Sequence, residues 1–567
     1  MVMTLEQLRE KNEGHELLSY FLDAAAVGTD RSTFYNTKIQ QQETVADIHR
    51  SVLNFDRDLY ALLVAFGSLN EYNRLLLTRN LLFNTGYVVG QGGARLYSRY
   101  VESKGAAIRY GLTNREKDWI EIENEIILTK VWTNVSVPRL LREIVKWRKE
   151  KLNNTRSKRL VLRFLLGHKD FAGWALRYRP NLRRVLSHAW GDARTMKIRK
   201  ILAEYLTTGT VSSKASFCRF RESFQRYVGS ADLRKNCEAI LFIFGDYIVD
   251  FRDPMFAKYL KAINDPEQLP GLPFDIAIGL RNVKFKNFAT ARIKESKETQ
   301  TQMSSKQAVR LQRSGQKDNV EIKKDLSALS LVDIIKYGYE MGFGPDVKDA
   351  IRKRVGKDAI NCMFRPKKVE VIVDTSKSMF GREDRKLHPI AVAMSIALLM
   401  GEVAESCHVS FTGETTRSFP IPEGDTDLAR SILNAYKNDP EVVLLITDGY
   451  ENVSAGTVET LMRGLKKIGV KAPLIQLNPV LATEVGKIGG LRRVSELITV
   501  APTAGPETIS AMYEKYLLSS ASKGENLPAL KKWLLDKLSL KQIPFGVKQE
   551  LENVTAIEFK PLKALTA

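Results

Sequence analysis

The chain has little cysteine and little histidine: four of one and six of the other among 567 residues. Cys218, Cys237, Cys362 and Cys407 stand far apart, with no Cys-x-x-Cys pair and no Cys/His cluster, so neither a zinc site nor a disulfide framework is expected. No apolar run approaches the roughly eighteen residues that a membrane helix needs, so no membrane partner is expected. The opening stretch MVMTLEQLREKNEGHE lacks a basic-then-apolar leader pattern. The expectation is a reduced, cytoplasmic, soluble protein. Enzyme signatures are missing too: there is no Gly-x-Ser-x-Gly elbow, no catalytic Cys/His arrangement and no Gly-Lys-Ser/Thr phosphate loop. Gly86, Gly90, Gly92 and Gly93 do not make a Gly-x-Gly-x-x-Gly loop, because Arg95 stands where the last glycine belongs, and they read as a helix connector.

Positive charge is what the chain has in excess, with a formal net charge of +22 and a pI near 9.6. A balance this basic favours a polyanionic partner, nucleic acid first. The excess is concentrated: residues 139–200 carry roughly nineteen Lys/Arg against four Asp/Glu. Hydrophobic residues at 44% suffice for well-formed cores, and the length implies two to four domains.

Up to about residue 360 the apolar residues recur at three- and four-residue spacing. This predicts helices over 17–26, 43–66, 70–83, 121–131, 139–152 and 157–165. Helix after helix without strands suggests a HEAT-like α-solenoid, although no clean repeat period is visible. Over 139–149 the basic residues, Lys146 and Arg148 among them, and a Leu/Ile/Val stripe divide across the helix faces. Residues 173–188 add Arg177, Arg179, Arg183 and Arg184, with Tyr178 and His188. Arginine offers forked donors to phosphates, and the flat rings can stack on unpaired bases. The plainer reading is a solvated basic helix face with an ordinary interhelical histidine. Residues 284–324 are polar and read as a basic loop or exposed connection. Helices follow over 330–342 and 346–364.

From residue 367 strands and helices alternate, which predicts a doubly wound α/β sheet. Strands are expected at 369–373, 407–411, 442–446, 472–477 and 497–500. Helices are expected at 388–404, 427–436, 458–468, 481–488 and 507–518, and one more at 527–540. The run Val369-Glu370-Val371-Ile372-Val373 leads into Asp374-Thr375-Ser376-Lys377-Ser378, a D-x-S-x-S turn leaving a buried strand. Oxygen side chains at alternate positions suit a hard cation such as Mg²⁺. Glu423-Gly424-Asp425-Thr426 follows, and the strand at 442–446 leads into Thr447-Asp448-Gly449. Ligands of doubly wound sheets sit beyond the carboxyl ends of the strands, where Asp374 and Asp448 both fall.

In that order the three elements resemble the metal-ion-dependent adhesion site of a von Willebrand factor A domain. The resemblance implies Asp374, Ser376, Ser378, Thr426 and Asp448 as metal ligands, directly or through water. It also implies that a partner's Asp or Glu completes the coordination, so that the metal acts as glue. Near the start, the stretch from Phe21 through Gly28 and Thr33 to Tyr35 resembles the opening of the TROVE module of Ro autoantigen-like proteins. The basic segment ending in Leu186-Ser187-His188 is similar to that module's RNA-binding element. This second resemblance implies that Arg177, Arg179, Arg183, Arg184 and His188 bind small structured Y-type RNA on a ring or horseshoe of helical repeats. It further implies that ends of misfolded RNA enter the ring, in RNA quality control or in tethering a nuclease. The expected domains are a TROVE-like helical domain at 1–364, a von Willebrand factor A domain at 365–520, and a C-terminal helix and tail at 521–567. No enzyme is expected, because the metal loops show no general base; His388 and His408 read as structural. The alternative is a metal-dependent adaptor that docks a protein partner such as an AAA+ ATPase.

Overall fold

Helices fill most of the described chain, and one parallel sheet lies in its C-terminal half. The computed structural model describes residues 37–66, 69–83, 114–209, 233–246, 251–296, 326–360, 365–381, 386–413, 417–425, 427–449, 456–477, 498–500 and 527–540, and positions 18, 21, 299, 362, 479, 543, 544 and 547. The first helices are α1 (Lys38–Phe55), α2 (Arg57–Leu62), α3 (Glu71–Phe83) and α4 (Asn114–Ile126). Next come α5 (Val137–Lys149), α6 (Thr155–Leu166), α7 (Phe171–Trp190), α8 (Asp192–Thr208), α9 (Leu233–Phe244), α10 (Pro254–Ala262), α11 (Phe274–Lys284) and α12 (Thr290–Glu295). Then α13 (Leu331–Met341) and α14 (Pro345–Ile360) lead into β1 (Lys368–Val373), α15 (His388–Val403), β2 (Ser406–Phe411), α16 (Leu428–Tyr436), β3 (Val442–Ile446), α17 (Thr457–Lys467), β4 (Leu474–Leu477) and β5 (Ile498–Val500). The last helix is α18 (Leu527–Leu538). The helix expected at 17–26 apart from positions 18 and 21, the stretch 28–35, the glycines at 86–93, all of 300–325, and the helices expected at 481–488 and 507–518 lie outside the described residues.

Contacts divide the chain into two units. One comprises Met1–Leu81, Asn114–Ile126 and Leu326–Ala567; the other comprises Leu82–Thr113 and Ile127–Asp325.

In the second unit α7 is central, touching α5, α6, α8, α9 and α11. The buried stripe of α5 is Leu140, Leu141, Ile144 and Trp147, one face of a 3.6-residue period. Trp147 meets Phe83 edge to face at 5.0 Å. Pro180 sits inside α7, and the backbone leaves helical geometry at Tyr178 (φ −121°, ψ 22°). The cause is the missing N–H and the ring's clash with the preceding turn.

In the first unit the helix expected over 43–66 is broken. Asp56 is extended (φ −157°) and its carboxylate accepts the Leu59 N–H at 2.9 Å, so it caps α2. Arg57 ties α2 to α4, donating from Nε to Glu123 Oε1 at 2.7 Å and from Nη2 to Oε2 at 3.0 Å, with Glu123 fully buried. α18 packs on α2 and the following turn. Leu534 is buried, Lys531 Nζ lies 2.7 Å from Asp56 Oδ2, and Trp533 meets Phe66 at 6.0 Å.

The sheet has five parallel strands in the order β2-β1-β3-β4-β5. Strands covered on both faces read as near-continuous apolar runs, as β3 does throughout and β1 does apart from Lys368 and Glu370. Ile372, Val443, Leu445 and Leu474 share one core with Ile432 of α16 and Val458 and Leu465 of α17. α15 packs on β1 and β2 and is covered in turn by α13 and α14. Glu370 is the charged residue inside β1. It is buried and satisfied by His408 Nδ1 at 2.7 Å and by the Asn438 amide at 2.8 Å.

A candidate metal centre and a basic helical surface

Strand order reverses at β1, with β2 on one side and β3 on the other. Such a switch point opens a crevice at the carboxyl ends of the strands. The Asp374 N–H donates to Ile446 O at 2.9 Å, carrying the β1–β3 ladder one residue past β1. The Asp374 carboxylate is therefore set opposite Thr447, buried. Its Oδ2 accepts the Thr447 hydroxyl at 2.6 Å and its Oδ1 accepts the Ser376 N–H at 2.8 Å. Ser376 is extended and opens a tight turn over Lys377–Phe380, which brings Ser376 Oγ and Ser378 Oγ to 2.9 Å. Two ligands at neighbouring corners of an octahedron with ~2.1 Å bonds stand about 3.0 Å apart, so the hydroxyl pair fits one Mg²⁺-sized ion.

Two more loops close on this turn. From the end of β2, Thr412 Oγ accepts the Thr375 N–H at 2.9 Å, and the Gly413 N–H donates to Thr375 Oγ at 3.0 Å. From the loop before α16, the Glu423 N–H donates to Thr375 O at 2.8 Å, and Gly424 O accepts the Lys377 N–H at 3.1 Å. Thr426, two residues on, lies outside the described residues. Asp448 is half-buried, next to Thr447. Gly449 turns the chain there with φ +91°, a conformation that disfavours any side chain, and a Cβ at that position would also displace the Gln476 amide, 2.6 Å away. The resulting donor set is hard oxygen. Among the described residues no group of three or more His, Cys, Asp or Glu gathers to hold a metal. Thr412 and Thr447 are members of this network that the sequence reading did not single out; their signal is a threonine directly after a strand, β2 for the first and the buried β3 for the second.

The candidate RNA residues fall on α5 and α7. Arg184 and His188 are four apart on one face of α7. His188 is half-buried and held below its ordinary pKa, first by burial, then by the charges of Lys158 and Arg148. Cations of α5 and α6 thus bear on one imidazole of α7. Lys158 was not singled out beforehand, although it lies inside the basic window. Arg148 Nη2 also lies 3.4 Å from Asp192 Oδ2. Lys146 is exposed, on the side of α5 away from its buried stripe, with its Nζ 3.7 Å from Glu150. Arg177 is exposed, 3.6 Å from Asp170, and Arg183 is exposed beside Arg184. Arg179 is placed differently: half-buried, it donates from Nε to Ile243 O at 3.3 Å and lies 5.2 Å from the Phe242 ring, joining α7 to α9.

No family model matches the chain, and no curated protein matches it. Among solved structures, the Ro (RSR) protein of Deinococcus radiodurans aligns over 72% of this chain and 94% of that chain, with 15% identity and a TM-score of 0.33. A superposition at that score establishes no common fold, so function has to be argued from the residues themselves. Among the described residues no helix is long and apolar enough to cross a membrane.

Proposed function

We propose that this protein is a non-enzymatic, Ro-type RNA-binding protein that takes structured RNA on the surface of α5–α8. The observation that carries the reading is that the charges of Arg148 and Lys158, from two helices packed on α7, both bear on His188, with Arg184 one turn before it on α7. Fixed cations spaced along helix faces match a phosphate backbone, and half-buried His188 offers a flat polar ring beside them. The TROVE-like sequence elements support the same reading, with the helices as a repeat ring and the sheet as a von Willebrand factor A domain. We assign Asp374, Ser376 and Ser378, with Thr426 and Asp448, to a divalent cation, Mg²⁺ by its preference for hard oxygen. When bound, the ion supplies a Lewis-acidic position for an acidic group of a partner protein, such as a nuclease. The chain's own residues do the rest: Thr447 and the Ser376 N–H orient the Asp374 carboxylate, and the D-x-S-x-S turn holds the hydroxyls together.

The test is to purify the protein at low salt, then extract and sequence the nucleic acid that comes with it. A discrete structured RNA is expected, released by salt because phosphate neutralisation frees counterions, and lost in R183E/R184E. Protein free of RNA that also ignores structured RNA added back would overturn the reading. The converging serine hydroxyls would then favour the metal-dependent adaptor. Asp374→Ala is expected to abolish partner docking while leaving RNA affinity within about twofold, because Asp374 lies at the carboxyl ends of the sheet strands, remote in sequence from the basic window.

A further inference from the structure

The loop that approaches the D-x-S-x-S turn from the α16 side is itself held from outside the sheet. α13 stops at Gly342 and α14 starts at Pro345. In the short turn between them Phe343 folds back over α13 onto Gly338, where a Cβ would stand 2.3 Å from the Phe343 ring. Only glycine leaves room for that ring. Phe343 stacks on Phe419 with ring centres 3.9 Å apart and planes 11° apart. Tyr339 stands edge-on to Phe343 at 5.2 Å and to Phe419 at 6.2 Å, and its hydroxyl donates to Pro420 O at 3.1 Å. Three residues past Pro420, Glu423 donates to Thr375, and Gly424 accepts from Lys377. The link between these points is Pro420-Ile421-Pro422, whose two prolines fix φ and restrict the residues before them. A displacement of Phe419 therefore reaches Glu423 with little chance of being absorbed on the way.

We infer that Tyr339 and Phe343 are positioning residues for the metal centre: the α13–α14 turn sets the place of the loop 417–425, and through it the cation affinity. The inference rests on the metal assignment proposed above. Neither side chain is a ligand; both act through Phe419 and Pro420. Coupling of this kind is reciprocal, so cation binding steadies the α13–α14 turn by the same factor.

The experiment is calorimetric titration of the full-length protein with MgCl₂, with hydrogen exchange at the Glu423 and Lys377 amides in metal-free protein. Phe343→Ala is expected to weaken Mg²⁺ about tenfold and to speed exchange at both amides, from loss of the aromatic stack. Tyr339→Phe removes one hydrogen bond and keeps the ring; about threefold weaker binding is expected, with a nearly unchanged melt. Phe343→Tyr keeps the stack and is expected to restore wild-type affinity. Leu534→Ala, a core truncation at α18, controls for general destabilisation and is expected to leave Mg²⁺ affinity unchanged. Wild-type affinity in both Phe343→Ala and Tyr339→Phe would overturn this inference alone. Equal weakening in Leu534→Ala would overturn it too, by showing that any loss of stability suffices. Absence of Mg²⁺ binding by the wild-type protein would remove the metal assignment and this inference with it.

Discussion

His49 shows how much a single buried residue can reveal. It is fully buried, its Nε2 lies 2.8 Å from Asn73 Oδ1 and its Nδ1 lies 2.6 Å from Tyr60 Oη, while Asn80 donates to that same hydroxyl at 3.0 Å. Asn73 Oδ1 can only accept, so Nε2 carries the proton and Nδ1 accepts from Tyr60, a neutral and satisfied imidazole. Burial pulls its pKa from 6.5 to about 4. The unfolded chain therefore binds the extra proton first, so stability is full above pH 6.5 and falls as pH drops towards 4, by up to roughly 3 kcal/mol. Urea denaturation of wild type and His49→Gln across this range is expected to show the gap between them narrowing on acidification. A constant gap would remove His49 as the cause. The arginines of α7 separate by the same residue-level reasoning. Arg179 packs on α9, so Arg179→Ala is expected to lower stability by about 1–3 kcal/mol. Arg183 and Arg184 are exposed, and Arg183→Ala/Arg184→Ala is expected to leave the urea midpoint nearly unchanged while weakening RNA binding. Equal loss of stability in both would mean that the two kinds of arginine are not distinct.

At the level of elements, what the sequence discloses depends on whether the signal is local. β1 and β3 are legible because parallel strands buried on both faces write apolar runs, interrupted in β1 only at Glu370 after its opening Lys368, and the turn after β1 carries its own spacing. The break at Asp56 is not legible by period, since apolar positions continue across it; what marks it is an aspartate capping a new helix, a signal that periodicity outweighs. The role of Arg179 is hidden for a different reason, because its partners belong to α9 and the sequence cannot say which arginine of a basic run turns inward. The α18 helix is legible as a helix, but its docking on α2 is not, because Lys531 and Asp56 lie far apart in the chain. That docking has a measurable consequence. Leu534 is fully buried, so Leu534→Ala is expected to lower unfolding stability by about 2–5 kcal/mol, lost transfer energy plus the cavity left behind. Lys531→Met is expected to shift Asp58 further above its ordinary pKa, which burial already raises and Lys531 opposes. A urea midpoint unmoved by Leu534→Ala would show that α18 does not pack on α2 in solution.

For the whole molecule, charge and topology set the two units apart, and the proposed functions divide along the same line. The window 139–200 holds about two thirds of the net charge of +22, and it lies wholly within the unit built on α7. The crevice of the sheet is lined by Asp374, Asp448 and hydroxyls, and lies within the other unit. A polyanion is drawn to the first and repelled by the carboxylates of the second, and a small dication shows the reverse preference. A ligand that binds only the native form stabilises it by RT ln(1 + [L]/Kd), about 2.7 kcal/mol at a hundredfold excess over Kd, which slows exchange through unfolding by roughly a hundredfold. Hydrogen exchange read by peptide is therefore expected to show Mg²⁺ protecting residues 369–381 and 417–425, and RNA protecting peptides of α5–α8. Raising the salt should erase the protection by RNA, as counterion release requires, and leave most of the protection by Mg²⁺. Protection of 369–381 by RNA in the absence of Mg²⁺ would contradict this division, because it would place the nucleic acid on the surface that its charge disfavours.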